Sequence, residues 1–317
     1  ALGLLKKVGF ADSLALIVDP VFDSAAQGVV PSRQDALLGS LAFSFQIYFD
    51  FSGYSDIAIG SARLFGIRLP ENFRSPYKSS SIIEIWRRWH MTLSRFLRDY
   101  LYISLGGNRH GRSRRYLNLI ITMLLGGLWH GAAWTFVLWG GLHGMYLCIN
   151  HGWRARTRRT GLEPVARHRA LTPVYILITF LCWTVAMVFF RAADAGTALQ
   201  ILDAAVQHSD AAQAELLGAA MQQGFFAKVF TLAGWTHSSY YEAYLLLAAC
   251  AVTCWLLPNS QQFLADYDPV ISREPIEPPP HGLRWKPGLG YALLTAFVLG
   301  CSLLSLSTAS RFIYFQF

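Results

Sequence analysis

The stretch whose reading decides the fold is MLLGGLWHGAAWTFVLWGGLHG, Met123 to Gly144. It lies inside Tyr116–Trp153, a segment without a single Asp, Glu, Lys or Arg. Within it His130 stands between Trp129 and Gly131, where a purely structural apolar run would carry a leucine. An ionisable side chain in bilayer-length apolar sequence is costly unless it has partners, which makes it a candidate for function. The competing reading is a hydrogen bond between packed helices. The glycines around His130 weigh against that, because small neighbours leave room beside the ring. His143, in the setting GGLHG, is open to both readings.

The rest of the chain places this stretch in a membrane. Of 317 residues, 53% are hydrophobic and 15% charged, against about 25% charged in an ordinary soluble domain. The mean hydropathy is +0.33. Apolar runs at 36–60, 116–150, 173–190, 241–257 and 289–306 are each long enough for the about 20 residues a crossing helix needs. The expected class is an all-α polytopic membrane protein. The five cysteines, Cys148, Cys182, Cys250, Cys254 and Cys301, all fall in apolar runs and imply no disulfide framework. Cys250 and Cys254 share a helix face, but no further ligand type lies nearby, so no metal site is expected.

The net charge of +8 is unevenly spread. From Arg63 to Arg115 there are twelve basic residues against Glu71, Glu84 and Asp99, and six more arginines lie between Arg154 and Arg169. In a soluble protein such runs would suggest nucleic acid; beside apolar spans they read as cytoplasmic loops. With both blocks on one side, the charge-free segment between them must enter and leave on that side. It is expected to form a re-entrant hairpin broken at Gly126, Gly127 and Gly131, with His130 buried at its apex. The alternative is a pair of tilted helices with His130 near the far surface. Residues 191–240 then form an outer segment with a short surface helix in AGTALQILDAAVQ. Residues 258–288, containing EPIEPPP, form an extended cytoplasmic loop. The terminal RFIYFQF reads as an aromatic interfacial belt.

The stretch SSSIIEIWRRWHMTLSRFLRDYLYISLGG has a different character. Its apolar residues recur at three- and four-residue intervals, while Glu84–Arg88 and Arg95–Asp99 make i,i+4 pairs on the other face. This predicts an amphipathic helix lying along the cytoplasmic interface or lining a wet mouth, with His90 at the border of its apolar face. Arg88 and Arg98 flank His90 and are candidates to admit an anionic donor. Asp50 and Asp56 sit in an apolar span and are expected to pair with an arginine such as Arg63 or Arg98, or else to orient a histidine. LGGNRHG lacks the strand and the Lys-Ser/Thr of a phosphate loop and reads as a turn, with Arg109 able to hold phosphates loosely. No serine-triad or metal-ligand spacing appears. What remains is a buried general base without its own nucleophile, which suits direct transfer of an acyl group from a thioester to a hydroxyl.

Four stretches carry a family resemblance: FQIYFDFSGYSDIAIGSARLFGIRLPENFRSPY, WRRWHMTLSRFLRDYLYISLGGNR, TMLLGGLWHGAAWTFVLWGGLHG and the terminal FIYFQF. Together and in this order they resemble the membrane-bound O-acyltransferase family, in its bacterial polysaccharide-acetylating branch. The resemblance implies a helical bundle with a central tunnel, interfacial helices and the re-entrant hairpin, in a multi-pass protein of the bacterial inner membrane. It implies that 1–317 is a single membrane domain forming the C-terminal part of a longer chain, because GLLKKVGFADSLA resembles an internal segment of the family. The family's essential histidine maps onto His130 and its second histidine onto His90. Trp129, Trp89, Arg88, Arg98 and His143 then become candidate substrate-binding residues, with no metal. The implied donor is acetyl-CoA from the cytoplasm. The implied partners are membrane lipid, a periplasmic or secreted polysaccharide acetyltransferase and an exopolysaccharide acceptor such as alginate. A different class stays open beside this one: a non-catalytic transporter or scaffold whose histidines line a polar path for the acyl donor.

Overall fold

The computed structural model describes residues 1–166, 168–207, 239–279, 282–304 and 312–313. The described residues are helical, with no strand beyond an isolated parallel bridge between Pro70 and Ile271. The chain divides into two compact units, Ala1–Arg74 with Leu199–Phe317, and Ser75–Ala198. Most of the terminal RFIYFQF, all but residues 312–313, and most of the expected outer segment 191–240 lie outside the described residues.

The first unit is organised by one long antiparallel helix pair. Helix α1 (Leu2–Leu4) continues through a π-helical stretch (Leu5–Ala11) into α2 (Asp12–Ala26), and α3 (Arg33–Leu64) returns alongside. Ser32 starts α3 by accepting a hydrogen bond from the Asp35 amide at 3.0 Å, satisfying one of the orphan donors of a helix start. The two lines touch at glycines: a Cβ on Gly3 would sit 2.6 Å from the Gly53 carbonyl oxygen, and one on Gly39 2.9 Å from Val21. Between these contacts Phe10 stacks on Phe49 at 4.5 Å.

The buried charges of this unit pair across the same contact. Lys7 Nζ lies 2.8 Å from Asp50 and 2.9 Å from Asp12, and Lys6 Nζ lies 2.7 Å from Asp56. Asp50 and Asp56 therefore meet lysines from the π-helical stretch, not Arg63 or Arg98. Arg63 instead donates to the Tyr267 carbonyl. The π-helical stretch places two successive lysines against carboxylates six positions apart on α3. The expected loop at 258–288 starts with a short capped helix, α12 (Ser260–Phe263), whose Ser260 and Gln261 also donate to Asp56. A 3-10 turn (Ala265–Tyr267) follows, so the loop is not extended throughout; its described residues from 268 to 288 hold no helix. Two further helices of this unit are α11 (Ser239–Trp255) and α13 (Leu289–Leu304).

The second unit holds the stretch that decides the fold. Helices α6 (Gly111–His130) and α7 (Trp134–Arg159) form an antiparallel hairpin. The expected break occurs at one of its three glycines: the chain turns at Gly131–Ala133, whereas Gly126 and Gly127 are helical and buried. The glycines are there for contact. A Cβ on Gly127 would stand 2.2 Å from the Phe136 carbonyl oxygen, and one on Gly140 2.3 Å from that of Met123. Small residues at such a crossing let backbones approach, the main device for packing helices in lipid.

The predicted amphipathic helix is divided. Helix α4 (Ile82–Arg88) ends at Trp89, His90 turns the chain, and α5 (Met91–Phe96) leads into a π-helical stretch (Leu97–Tyr102). Glu84 and Arg88 pair as expected at 2.6 Å, whereas Asp99 pairs with Arg98 at 2.7 Å and Arg95 donates to the Met91 carbonyl. Helix α9 (Thr172–Arg191), entered through a 3-10 turn (Arg169–Leu171), packs against α7 and completes the unit. Between α7 and that turn lies a four-residue helix, α8 (Glu163–Ala166), and α10 (Ala195–Val206) is the predicted short helix in AGTALQILDAAVQ.

One helical segment of the described residues, Arg169–Arg191, is long and apolar enough to cross a membrane on length and composition alone. The other expected spans are helical but do not meet that criterion: α3 carries its paired carboxylates, and α11 and α13 have 17 and 16 residues.

Gly127→Ala is expected to destabilise the protein by about 1–3 kcal/mol, the usual cost of forcing a methyl into a packed contact, because backbone rather than a movable side chain is in the way. Thermal unfolding in detergent checks this; an unchanged midpoint would show that the helices separate freely.

Candidate active site

Two chain reversals bring two histidines together. Going along α4, Ser81 accepts from Arg154 at 3.2 Å, Ile82 packs with Leu147 and Met123, and Trp86 meets His143. The chain therefore climbs α7 from its basic end. On the way back Leu97 packs on Gly126, and Asn118 donates to the carbonyls of Leu105 and Gly107 at 3.0 and 2.9 Å. His90 is the turning point of this excursion, as His130 ends the first arm of the α6–α7 hairpin. LGGNRHG is a turn, as expected, closed by Asn118 and by positive φ at Gly106 and Gly107.

His90 has φ 41° and ψ 55°, the left-handed region. Non-glycine residues there are uncommon, and such strain clusters at functional positions. Its Nδ1 lies 3.3 Å from the Thr92 hydroxyl. The His130 imidazole lies within electrostatic reach of the His90 ring.

His130 is half-buried in an aromatic collar. Trp129, Trp139 and Phe190 each present edges to it at 5.1 Å, and Phe136 lies at 6.1 Å. The room expected beside it is occupied: a Cβ on Gly131 would meet the Phe136 ring at 2.7 Å. Trp129 itself is 56% exposed, whereas Trp89 is buried against Tyr77 and Trp183.

His143 is separate from the histidine pair, on the other side of Trp139, whose ring lies 4.8 Å from it. It is wholly buried, and neither ring nitrogen has a hydrogen-bond partner.

The two predicted arginines are not free cations. Arg88 is tied to Glu84 and Arg98 to Asp99. A different basic group forms at the foot of α7, where His151 lies within electrostatic reach of Arg115, Arg154 and Arg87. Among the described residues neither Arg87 nor Arg115 has a carboxylate partner, and the Arg115 Nε is buried without an acceptor. No local spacing marks this cluster, because its members come from three helices. The face Phe136–Trp139–His143–Leu147, at helical intervals on α7, was legible in sequence; Trp183, which closes it from α9, was not. No group of three or more potential metal ligands occurs among the described residues.

Against this geometry the comparisons with known proteins are consistent. Residues 32–191 match the model of the MBOAT, membrane-bound O-acyltransferase, family. A probable alginate O-acetylase AlgI of Pseudomonas putida is 41% identical over 99% of this chain and 59% of its own length. That of Pseudomonas aeruginosa is 40% identical over 99% of this chain and 62% of its own length. A peptidoglycan O-acetyltransferase of Helicobacter pylori is 48% identical over 64% of this chain and 39% of its own length. The chain belongs to the membrane-bound O-acyltransferase family and is a membrane protein. It spans about three-fifths of the length of the two alginate O-acetylases.

Because the left-handed turn at residue 90 suits glycine, His90→Gly is expected to be more stable than His90→Ala by about 1–2 kcal/mol. Thermal unfolding of the two variants measures the difference. Equal midpoints would show that the turn relaxes when the imidazole is lost.

Proposed function

We propose that this protein is a membrane O-acyltransferase that moves acetyl groups from a cytoplasmic thioester donor, acetyl-CoA, across the bacterial inner membrane for O-acetylation of an exopolysaccharide such as alginate. The observation that carries the reading is the convergence of His90 and His130, forty positions apart in sequence, at the turning points of two adjacent chain excursions. A neutral imidazole can accept a proton. As the acceptor oxygen attacks the thioester carbonyl, a C–O bond forms and the C–S bond breaks. His130 takes the hydroxyl proton and returns it to the departing thiolate. His90, held by its turn, would orient the reacting oxygen.

The arrangement also suits a donor that enters from one side. The arginine-rich ends of α6 and α7 are cytoplasmic in this reading, and the hairpin enters and leaves there. The 20 residues of α6 rise about 30 Å, comparable to a bilayer core. His130 is thereby carried deep, toward the acceptor side, along a central path through the bundle. At the foot, Arg87, Arg115 and Arg154 would hold the donor's phosphates, in place of Arg88 and Arg98. The relatives' names, alginate O-acetylase and peptidoglycan O-acetyltransferase, support a glycan acceptor. A secreted polysaccharide acetyltransferase is the proposed partner receiving the group outside.

His130→Gln decides between base and packing roles. Gln keeps hydrogen bonding but accepts no proton at neutral pH, so acetylation should fall by about 10²–10⁴-fold, as general-base loss predicts. The measure is O-acetyl content of the exported glycan normalised to protein in the membrane. Near-normal acetylation would overturn the catalytic role and favour a carrier or scaffold.

The arginine assignment has its own test. Arg87→Gln combined with Arg115→Gln should raise the donor concentration for half-maximal rate about ten-fold or more, as loss of charged hydrogen bonds predicts. The Arg88→Gln, Arg98→Gln pair should change it little. The opposite ranking would return the phosphates to the predicted arginines.

A further inference from the structure

Where α3 ends, at RLFGIR (Arg63–Arg68), three large apolar side chains stand clear of the protein. Leu64 is 86% exposed, Phe65 82% and Ile67 56%. The turn that displays them is a complete helix stop. The Ile67 amide donates to the Ala62 carbonyl and the Gly66 amide to that of Arg63, both at 3.0 Å, with Gly66 at φ 74°. This paired pattern ends a helix through a left-handed glycine, and the residue after the glycine commonly packs back on the last turn. Here the positions it would cover are Ala62 and Ser61, and Ile67 stays more than half exposed. Both flanking arginines are tied down, Arg63 to the Tyr267 carbonyl at 3.0 Å and Arg68 to Asp268. The chain then joins Ile271 through the Leu69 carbonyl and the Glu71 amide, at 2.9 and 3.1 Å. An exposed apolar patch held this firmly marks a contact surface.

The length of α3 indicates what it contacts. Its 32 residues rise about 48 Å. Tilted by about 20°, as spanning helices are on average, that helix covers about 45 Å along the membrane normal. A bilayer with its headgroup layers is about 40–45 Å thick. At the other end, the connection from α2 to α3 exposes Val29 and Val30. Between its ends α3 is mostly buried. Exposed apolar residues thus mark both ends of one helix, a membrane thickness apart, and the arginines place the Leu64 end on the cytoplasmic side. Apolar side chains beside cations suit the boundary between headgroups and acyl chains, and guanidinium groups bond phosphate well.

We propose that Leu64, Phe65 and Ile67 insert into the headgroup layer of the cytoplasmic leaflet, with Arg63 and Arg68 beside phospholipid phosphates. Through Tyr267 and Asp268 this wedge tethers the 258–288 loop to the membrane surface. The proposal rests on the chain being a membrane protein and not on the acyl-transfer chemistry.

A nitroxide label at Phe65→Cys reads the surroundings of the wedge directly. The full chain is reconstituted in vesicles of phosphatidylethanolamine and phosphatidylglycerol, and protein without the added cysteine supplies the background from the natural ones. Relaxation of the label by oxygen should exceed relaxation by a water-soluble nickel chelate. Leu64→Cys gives a second site, and both replace exposed side chains that the fold does not need. Dominant relaxation by nickel would put the turn in water. Slight relaxation by either agent would show that a second copy or another polypeptide segment covers it. Each of these results would overturn the proposal. The tether has its own readout: in the same vesicles, Leu64→Gln with Phe65→Gln should speed tryptic cleavage after the exposed Arg273 by about five-fold or more, through easier local opening. An unchanged rate would overturn the tether.

Discussion

The close approach of α6 and α7 is the constraint on which the second unit depends. Where Gly127 faces the Phe136 carbonyl and Gly140 that of Met123, there is no room for a single methyl. In lipid, apolar side chains gain little by leaving one apolar medium for another, so helices associate through shape and close contact. The glycines set the register of the hairpin. That register places Phe136 and Trp139 beside His130 and orients the α7 face that carries His143. The contacts of Phe136 and Trp139 with His130 follow from it.

The first unit solves a different problem, keeping charge inside an apolar bundle. Asp50 is 1% exposed and Lys7 3%, and an isolated buried charge of either sign would be strongly unfavourable. The pair is acceptable because each charge is shared: Lys7 also meets Asp12, and Asp50 also accepts the Ile313 amide at 2.9 Å. The contact thereby joins residues from both ends of the chain. Phe312 adds its ring face to Lys7 at 5.0 Å.

The lysine–aspartate contact of the first unit and the His143 cluster of the second treat buried polarity differently. In the first, Asp50, Asp56 and both lysines are matched within the protein. In the second, His143 and three indoles are not.

The amino-acid sequence by itself determined the class and the chemistry on offer. Charge-free apolar runs specify helices for a membrane, the arginine blocks bound the hairpin, and the LWHG and RRWH settings mark His130 and His90. It also determined local pairings such as Glu84–Arg88, whose geometry is that of one helical turn. Only the tertiary structure decided which lysines answer Asp50 and Asp56, that Gly126 and Gly127 pack instead of breaking the helix, and that Arg87, Arg115 and Arg154 gather around His151. The physical reason is common to all three. A side chain's neighbours within one helix follow from a 3.6-residue period, whereas its neighbours across helices depend on the register at which two surfaces fit. That register is set by steric contacts spread over both helices, which no short stretch of either contains.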